Sequence, residues 1–182
     1  MTIQIDDQLL LRTYQPYDAQ ELFLCVDKNR AHLREFLPWV NATLKPQHSM
    51  DFIQNMLVQE TAQKGIAMGI FLKEQLIGGI GMHDWDHYLK KAQIGYWLSK
   101  DAEGKGLMQR SATAFITFLF EHLGLNKIEI QFLPYNKRSG ELTKRLQAKV
   151  EGVLRDSILI NGSFEDVVIT GILRKEWKPN AQ

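Results

Sequence analysis

The sequence predicts a mixed α/β fold, a mostly antiparallel central sheet flanked by helices on both faces. Three observations carry this. Apolar residues keep helical spacing in some stretches and strand spacing in others. One strand, one long helix and another strand near the middle form a β-α-β crossover, which places a parallel pair inside the sheet. Asn161-Gly162 between alternating apolar runs marks a terminal hairpin.

Taken in order, Leu9 to Tyr14 reads as a first strand ended by Gln15-Pro16. Asp18 is the expected N-cap of a helix with Leu22, Val26 and Leu33 on one side. Leu37-Pro38-Trp39 ends that region, and Ser49 is expected to cap a second helix bearing Phe52, Ile53, Met56 and Leu57. From Ala67 the period changes to that of strands. Ala67–Leu72 and Leu76–Met82 form a hairpin through Lys73-Glu74-Gln75. Gly78, Gly79 and Gly81 in its second strand imply that something packs closely on the backbone. Lys91–Ser99 is the next strand, followed by a helix from about Lys105 to Leu123 with Gly124 just past its end. Lys127–Leu133 returns to strand and Asn136–Gln147 to helix. Val150–Ile160 and Ser163–Leu173 close the chain as the terminal hairpin.

The 182 residues suit a single domain spanning 1–182 and suffice for a core without disulfides or metal. Charges nearly cancel, 22 Lys and Arg against 21 Asp and Glu, so nothing global points to nucleic acid or an anionic membrane. The lone Cys25 lies in an apolar stretch and reads as a small core residue. It forms no intrachain disulfide, and no cysteine metal site is available. The first residues lack a signal-peptide pattern and no apolar run reaches the roughly 18 residues of a membrane span. The expected location is cytoplasmic, and the oligomeric state is left open, a homodimer among the readings.

Two stretches carry chemistry. In Tyr96-Trp97-Leu98-Ser99-Lys100-Asp101-Ala102-Glu103-Gly104-Lys105-Gly106-Leu107-Met108 a strand enters a glycine-bearing turn that opens a helix. Gly104 and Gly106 let backbone N–H groups close around an anion, and the helix N-terminus adds a favourable field. The spacing is neither a Walker loop nor a dinucleotide fingerprint. The second stretch, Asn136-Lys137-Arg138-Ser139, opens the next helix; Asn136 is a good N-cap and Ser139 stands at N3. Residues 136–149 hold Lys137, Arg138, Lys144, Arg145 and Lys149 against Glu141, a local charge of 5 − 1 = +4. A basic face beside a pyrophosphate-sized loop points to a nucleotide-like ligand.

These stretches, with Glu151-Gly152-Val153-Leu154-Arg155, resemble the GNAT superfamily of acetyl-CoA-dependent N-acetyltransferases. Asn29-Arg30-Ala31-His32-Leu33, Leu37-Pro38-Trp39, Ile94-Gly95-Tyr96-Trp97 and the Asn161-Gly162 hairpin are similar to its branch acting on the serine and alanine N-termini of ribosomal proteins. The resemblance implies acetyl-CoA as co-substrate, held where Lys91–Ser99 and Lys127–Leu133 splay apart, and no metal. It gives Tyr96, Trp97 and Leu98 main-chain contacts to the pantetheine arm, and the N–H groups of Glu103, Gly104, Lys105, Gly106, Leu107 and Met108 to the pyrophosphate. Asn136 would bond the cofactor near its thioester, and Ser139 would protonate or stabilise the departing thiolate. Leu37 and Trp39 would line the acceptor entrance.

Two positions depart from the family pattern: Asp101 stands where Gln or Arg is usual, and Leu146-Gln147-Ala148 replaces Leu-Gly-Phe. The first removes a phosphate contact; the second puts the turn geometry in question. The Glu that some relatives use as a base is Ile158 here. His83, Asp84, Asp86 and His87 are the remaining base candidates, His83 first because imidazole accepts a proton near neutrality. The acceptor is expected to be a protein N-terminus. A small amine (polyamine, amino acid or antibiotic) and a non-catalytic acyl-CoA-binding module are the rival readings.

Overall fold

The computed structural model describes residues 1–179. Eight strands form one sheet: β1 Thr2–Gln4, β2 Leu9–Thr13, β3 Ile66–Leu72, β4 Gln75–Asp86, β5 Lys91–Leu98, β6 Lys127–Phe132, β7 Lys149–Ile160 and β8 Ser163–Leu173. Five α-helices accompany them: α1 Ala19–Lys28, α2 Arg30–Leu33, α3 Pro46–Thr61, α4 Leu107–Glu121 and α5 Lys137–Arg145. The sheet order is β1-β2-β3-β4-β5-β6-β8-β7, antiparallel except for β5 and β6. Among the described residues no helix is long and apolar enough to cross a membrane.

Alternation along the strands divides the core between the two faces. On one face Leu9, Leu11, Met68, Ile80, Ile94 and Ile128 meet Phe115, Ile116, Leu119 and Phe120 of α4. On the other, Tyr14, Phe71 and Leu76 meet Leu22 and Val26 of α1 and Ile53 of α3. The glycines of β4 are explained by this packing: a Cβ on Gly79 would stand 2.6 Å from the Trp97 indole nitrogen and 2.7 Å from the Tyr14 hydroxyl. The β3–β4 and β7–β8 hairpins each turn on two residues of positive φ, Lys73-Glu74 and Asn161-Gly162.

Several features differ from expectation. β1 pairs along β2, a contact that local pattern does not announce. Asp18 does not cap α1 with its side chain; the buried carboxylate pairs with Arg12 at 2.8 Å and accepts the Gln15 amide at 2.6 Å. The first helix breaks at Asn29 rather than running to Leu33. Ser49 lies buried within α3, which begins at Pro46 after Lys45. α4 starts at Leu107 instead of Lys105. Cys25 is a half-buried thiol, pushed up to about 11 by burial, in keeping with a packing residue.

Candidate active site

β5 and β6 are hydrogen-bonded neighbours only over Lys91–Ile94 and Lys127–Ile130. Beyond Ile94, β5 stays paired with β4 through Leu98 while β6 follows β8, so the parallel strands part. The Ser99 amide donates to Ile77 on the β4 side. Counting back by twos, Trp97 and Gly95 also bond toward β4, and Tyr96 and Leu98 turn their main-chain groups into the gap. The sheet thus presents an unpaired edge at the carboxyl ends of its parallel strands, where α/β sheets bind ligands.

The loop after β5 completes the opening. Gly104 and Gly106 have φ of +75° and +71°, a conformation that only glycine takes at little cost. Gly106 is the N-cap residue of α4, and the first helical bond is Arg110 N–H to Gly106 C=O at 3.1 Å. The amides of Gly104 through Gln109 find no acceptor among the described residues. Six donors at a helix N-terminus make a nest suited to a diphosphate.

Both features open into one cavity of about 520 Å³, a size ordinary for a cofactor site. β5 supplies Tyr96, Trp97 and Leu98; the loop and α4 supply Glu103, Gly104, Gly106, Leu107 and Met108; α5 and the residue before it supply Asn136 and Ser139. Leu37 also lines it. Three expected residues stand apart from the lining. The Lys105 ammonium donates to the Asp101 carbonyl at 2.7 Å. Trp39, an exposed side chain, touches Trp97, their rings edge to face at 6.2 Å. His83 is the clear correction: β4 continues to Asp86, so His83 sits opposite Gln93, four residues and about 13 Å along the strand from the level of Trp97. It bonds Asp84 at 3.0 Å and faces a separate depression with Lys64 and Trp85. No base role at this cavity follows for it.

At the α5 corner, the Asn136 side-chain carbonyl accepts the Ser139 amide at 3.1 Å, so Asn136 serves as a helix cap and keeps its NH₂ free. The Ser139 hydroxyl meets the Tyr96 hydroxyl at 2.8 Å, and burial pushes the phenol up to about 12. Sequence reasoning did not find the side-chain role of Glu103. Its carboxylate pairs with His32 at 2.9 Å, Lys100 at 3.1 Å and Arg138 across the cleft. Burial, then Lys100 and Arg138, hold the His32 imidazole below its usual range despite that contact. The Arg138 and Arg145 cations also line the cavity. A sequence signal existed only in the density of cations on α5. Among the described residues no three His, Cys, Asp or Glu side chains converge as a metal site.

An open strand edge, a row of free amides and a hydroxyl corner meet in one cavity, the arrangement of a site for an extended ligand that carries a diphosphate. The family model for the acetyltransferase (GNAT) domain matches residues 8–149. YdaF of Bacillus subtilis strain 168, provisionally named a ribosomal N-acetyltransferase, is 30% identical over 97% of both chains. The ribosomal-protein-serine acetyltransferase of Escherichia coli K12 is 25% identical, covering 91% of this chain and 93% of the relative. Among solved structures, RimL, a ribosomal L7/L12 α-N-protein acetyltransferase in complex with coenzyme A, superposes with a TM-score of 0.92. It shares 22% identity over 95% of this chain and 98% of its own, a likeness of fold. The chain belongs to the GNAT acetyltransferase family and is an N-acetyltransferase.

Proposed function

We propose that the protein transfers an acetyl group from acetyl-CoA to the α-amino group at the N-terminus of a protein, with ribosomal proteins as the target class. The observation that carries the cofactor assignment is the set of amides of Gly104–Gln109 left free beside the opened edge of β5. These donors and the α5 cations suit the diphosphate, Tyr96 and Leu98 main-chain groups suit the pantetheine amides, and Asn136 NH₂ stands near Ser139. Acetyl-CoA supplies an activated acyl carbonyl and a sulfur leaving group. These residues would hold and orient the carrier, and placement of the reactants supplies most of the acceleration.

The charge of the cavity favours an α-amine over a polycation. Glu103 and Glu141 line it, but so do Lys137, Arg138 and Arg145, and Arg138 already faces Glu103. A polyamine gains no net attraction there. An α-amino group titrates near 7.7–8.0 and is partly neutral at physiological pH; a lysine near 10.4 is roughly 3 units away, about 4 kcal/mol worse. An N-terminal acceptor therefore manages without a strong base, in line with Ile158 where some relatives carry Glu.

The test is release of free thiol from acetyl-CoA with peptides bearing N-terminal Ser or Ala, beside spermidine, free lysine and an N-terminally blocked peptide. Turnover with the free N-termini alone supports the reading. A preference for the polyamine, or cofactor binding without turnover of any amine, overturns it.

A further inference from the structure

Tyr96 has a hydroxyl that main-chain contacts to a cofactor do not use. Its Oη lies 2.8 Å from Ser139 Oγ, its ring packs on the core, and both residues line the cavity. Ser139 is held from the other side, because its amide donates to Asn136 at 3.1 Å. A serine hydroxyl is a rotor with one proton and two lone pairs. Left alone, it would point that proton toward several acceptors.

We propose that Tyr96 is a positioning residue for the transfer: its hydroxyl donates to Ser139 Oγ and so turns the Ser139 proton into the cavity, toward the departing sulfur. The proposal rests on the reading of the cavity as an acetyl-CoA site. The phenol keeps its proton across the physiological range, since burial pushes it up to about 12. A free thiol titrates near 8.5, so its thiolate does not deprotonate such a phenol or the serine behind it. The pair therefore acts by hydrogen bonding to the thiolate, and no proton leaves either hydroxyl. The place is favourable for negative charge, because Ser139 stands in the first turn of α5, at the positive end of the helix dipole.

The direction of the bond decides which residue faces the sulfur. Ser139 as the terminal donor predicts that removing it makes Tyr96 irrelevant. The experiment is an ultraviolet titration of the thiol of bound coenzyme A in wild type, Tyr96→Phe, Ser139→Ala and the double variant. Binding is measured for each by calorimetry, and turnover is recorded in parallel. His32, Glu103, Lys137, Arg138, Glu141 and Arg145 line the same cavity and are common to all four proteins, so differences report on the two hydroxyls.

The wild-type thiol is expected to titrate about one unit below that of Ser139→Ala, roughly the tenfold effect of one hydrogen bond to a charged group. Tyr96→Phe is expected to recover most of that shift and to lower kcat several-fold with KM for acetyl-CoA unchanged. In the Ser139→Ala background, Tyr96→Phe is expected to do nothing further. Ser139→Thr, which keeps a hydroxyl, is expected to restore sensitivity to Tyr96→Phe. The proposal is overturned if Tyr96→Phe leaves the titration at the wild-type value, or if its effect persists undiminished without Ser139. Absence of coenzyme A binding by the wild type overturns the function and this proposal together, whereas binding with no response to Tyr96→Phe removes the proposal alone. Ser139→Ala leaves the aromatic packing intact and keeps the comparison valid if Tyr96→Phe melts early.

Discussion

The side-chain carbonyl of Asn29 accepts the amide of Lys100 at 2.8 Å, joining the break between α1 and α2 to the loop 71 residues further on. The Asn29 NH₂ donates to the Cys25 carbonyl at 2.8 Å, and the residue is buried. One side chain therefore ends α1 and fixes the entry to the diphosphate nest. A second tie, Lys28 to Asp101 at 2.8 Å, joins the same segments in open solvent. Asn29→Ala leaves the Lys100 amide unpaired and should cost about 1–3 kcal/mol. It should also weaken coenzyme A binding several-fold. Lys28→Ala should change neither, because an exposed pair contributes little. Urea unfolding and calorimetric titration of both variants check this; equal effects would show that the burial of Asn29 is irrelevant.

Gly104 and Gly106 are required for their backbone, not for space. A Cβ at either position would meet nothing within 4 Å, so any penalty is conformational. Valine at these positive φ values costs about 1–3 kcal/mol each and drives the loop to another shape. Gly104→Val with Gly106→Val should abolish coenzyme A binding while the far-ultraviolet circular dichroism stays that of the wild type. Unimpaired affinity would make the loop a plain turn.

Gln147 occupies a position that suits glycine better. Its φ is +61°. The Ala148 amide reaches Thr143 C=O and the Gln147 amide reaches Lys144 C=O, both at 2.9 Å, the two bonds of a Schellman end to α5. The turn thus survives the departure from the family's glycine, at the cost of a left-handed glutamine. Gln147→Gly should raise stability by about 1 kcal/mol, net of the extra freedom of the unfolded glycine, without altering kcat. A lower urea midpoint in the variant would contradict it.

The same contrast marks what could be read from the chain. Asn161-Gly162 and the glycines of the 104–106 loop were legible because each needs a positive φ that few residues supply. The parallel crossover followed from period and length. Asp18 and Ser49 depart from their expected capping roles because burial decides what they do: Asp18 is a buried partner of Arg12, and Ser49 lies inside α3, while the tie of Asn29 to Lys100 spans too much of the chain to show in a local pattern. The polar tail of β4 pairs with β5 as far as Asp86 and Lys91, so His83 lies within the strand and not in a turn beyond Met82. The Glu103 cluster escaped because His32, Lys100 and Arg138 converge only in three dimensions.

That cluster predicts a pH dependence. Burial, then Lys100 and Arg138, hold the folded-state pKa of His32 below its ordinary value near 6.5. As pH falls through that value, the unfolded chain takes up a proton on this residue before the folded protein does, so stability falls with pH. Three carboxylates held low act in a separate window: Asp101 by Lys28, Glu141 by Lys144, and Glu129, against its burial, by Lys127 and Lys91. Their contribution is lost only as pH drops below about 4, toward their folded values. Between about pH 4.5 and 6.5 the contribution of His32 is therefore isolated from theirs. His32→Gln, neutral in both states, should flatten the decline of the urea midpoint across this window. An unchanged slope in the variant would show that His32 ionises alike in the folded and unfolded chain, and that the cations around Glu103 do not govern it.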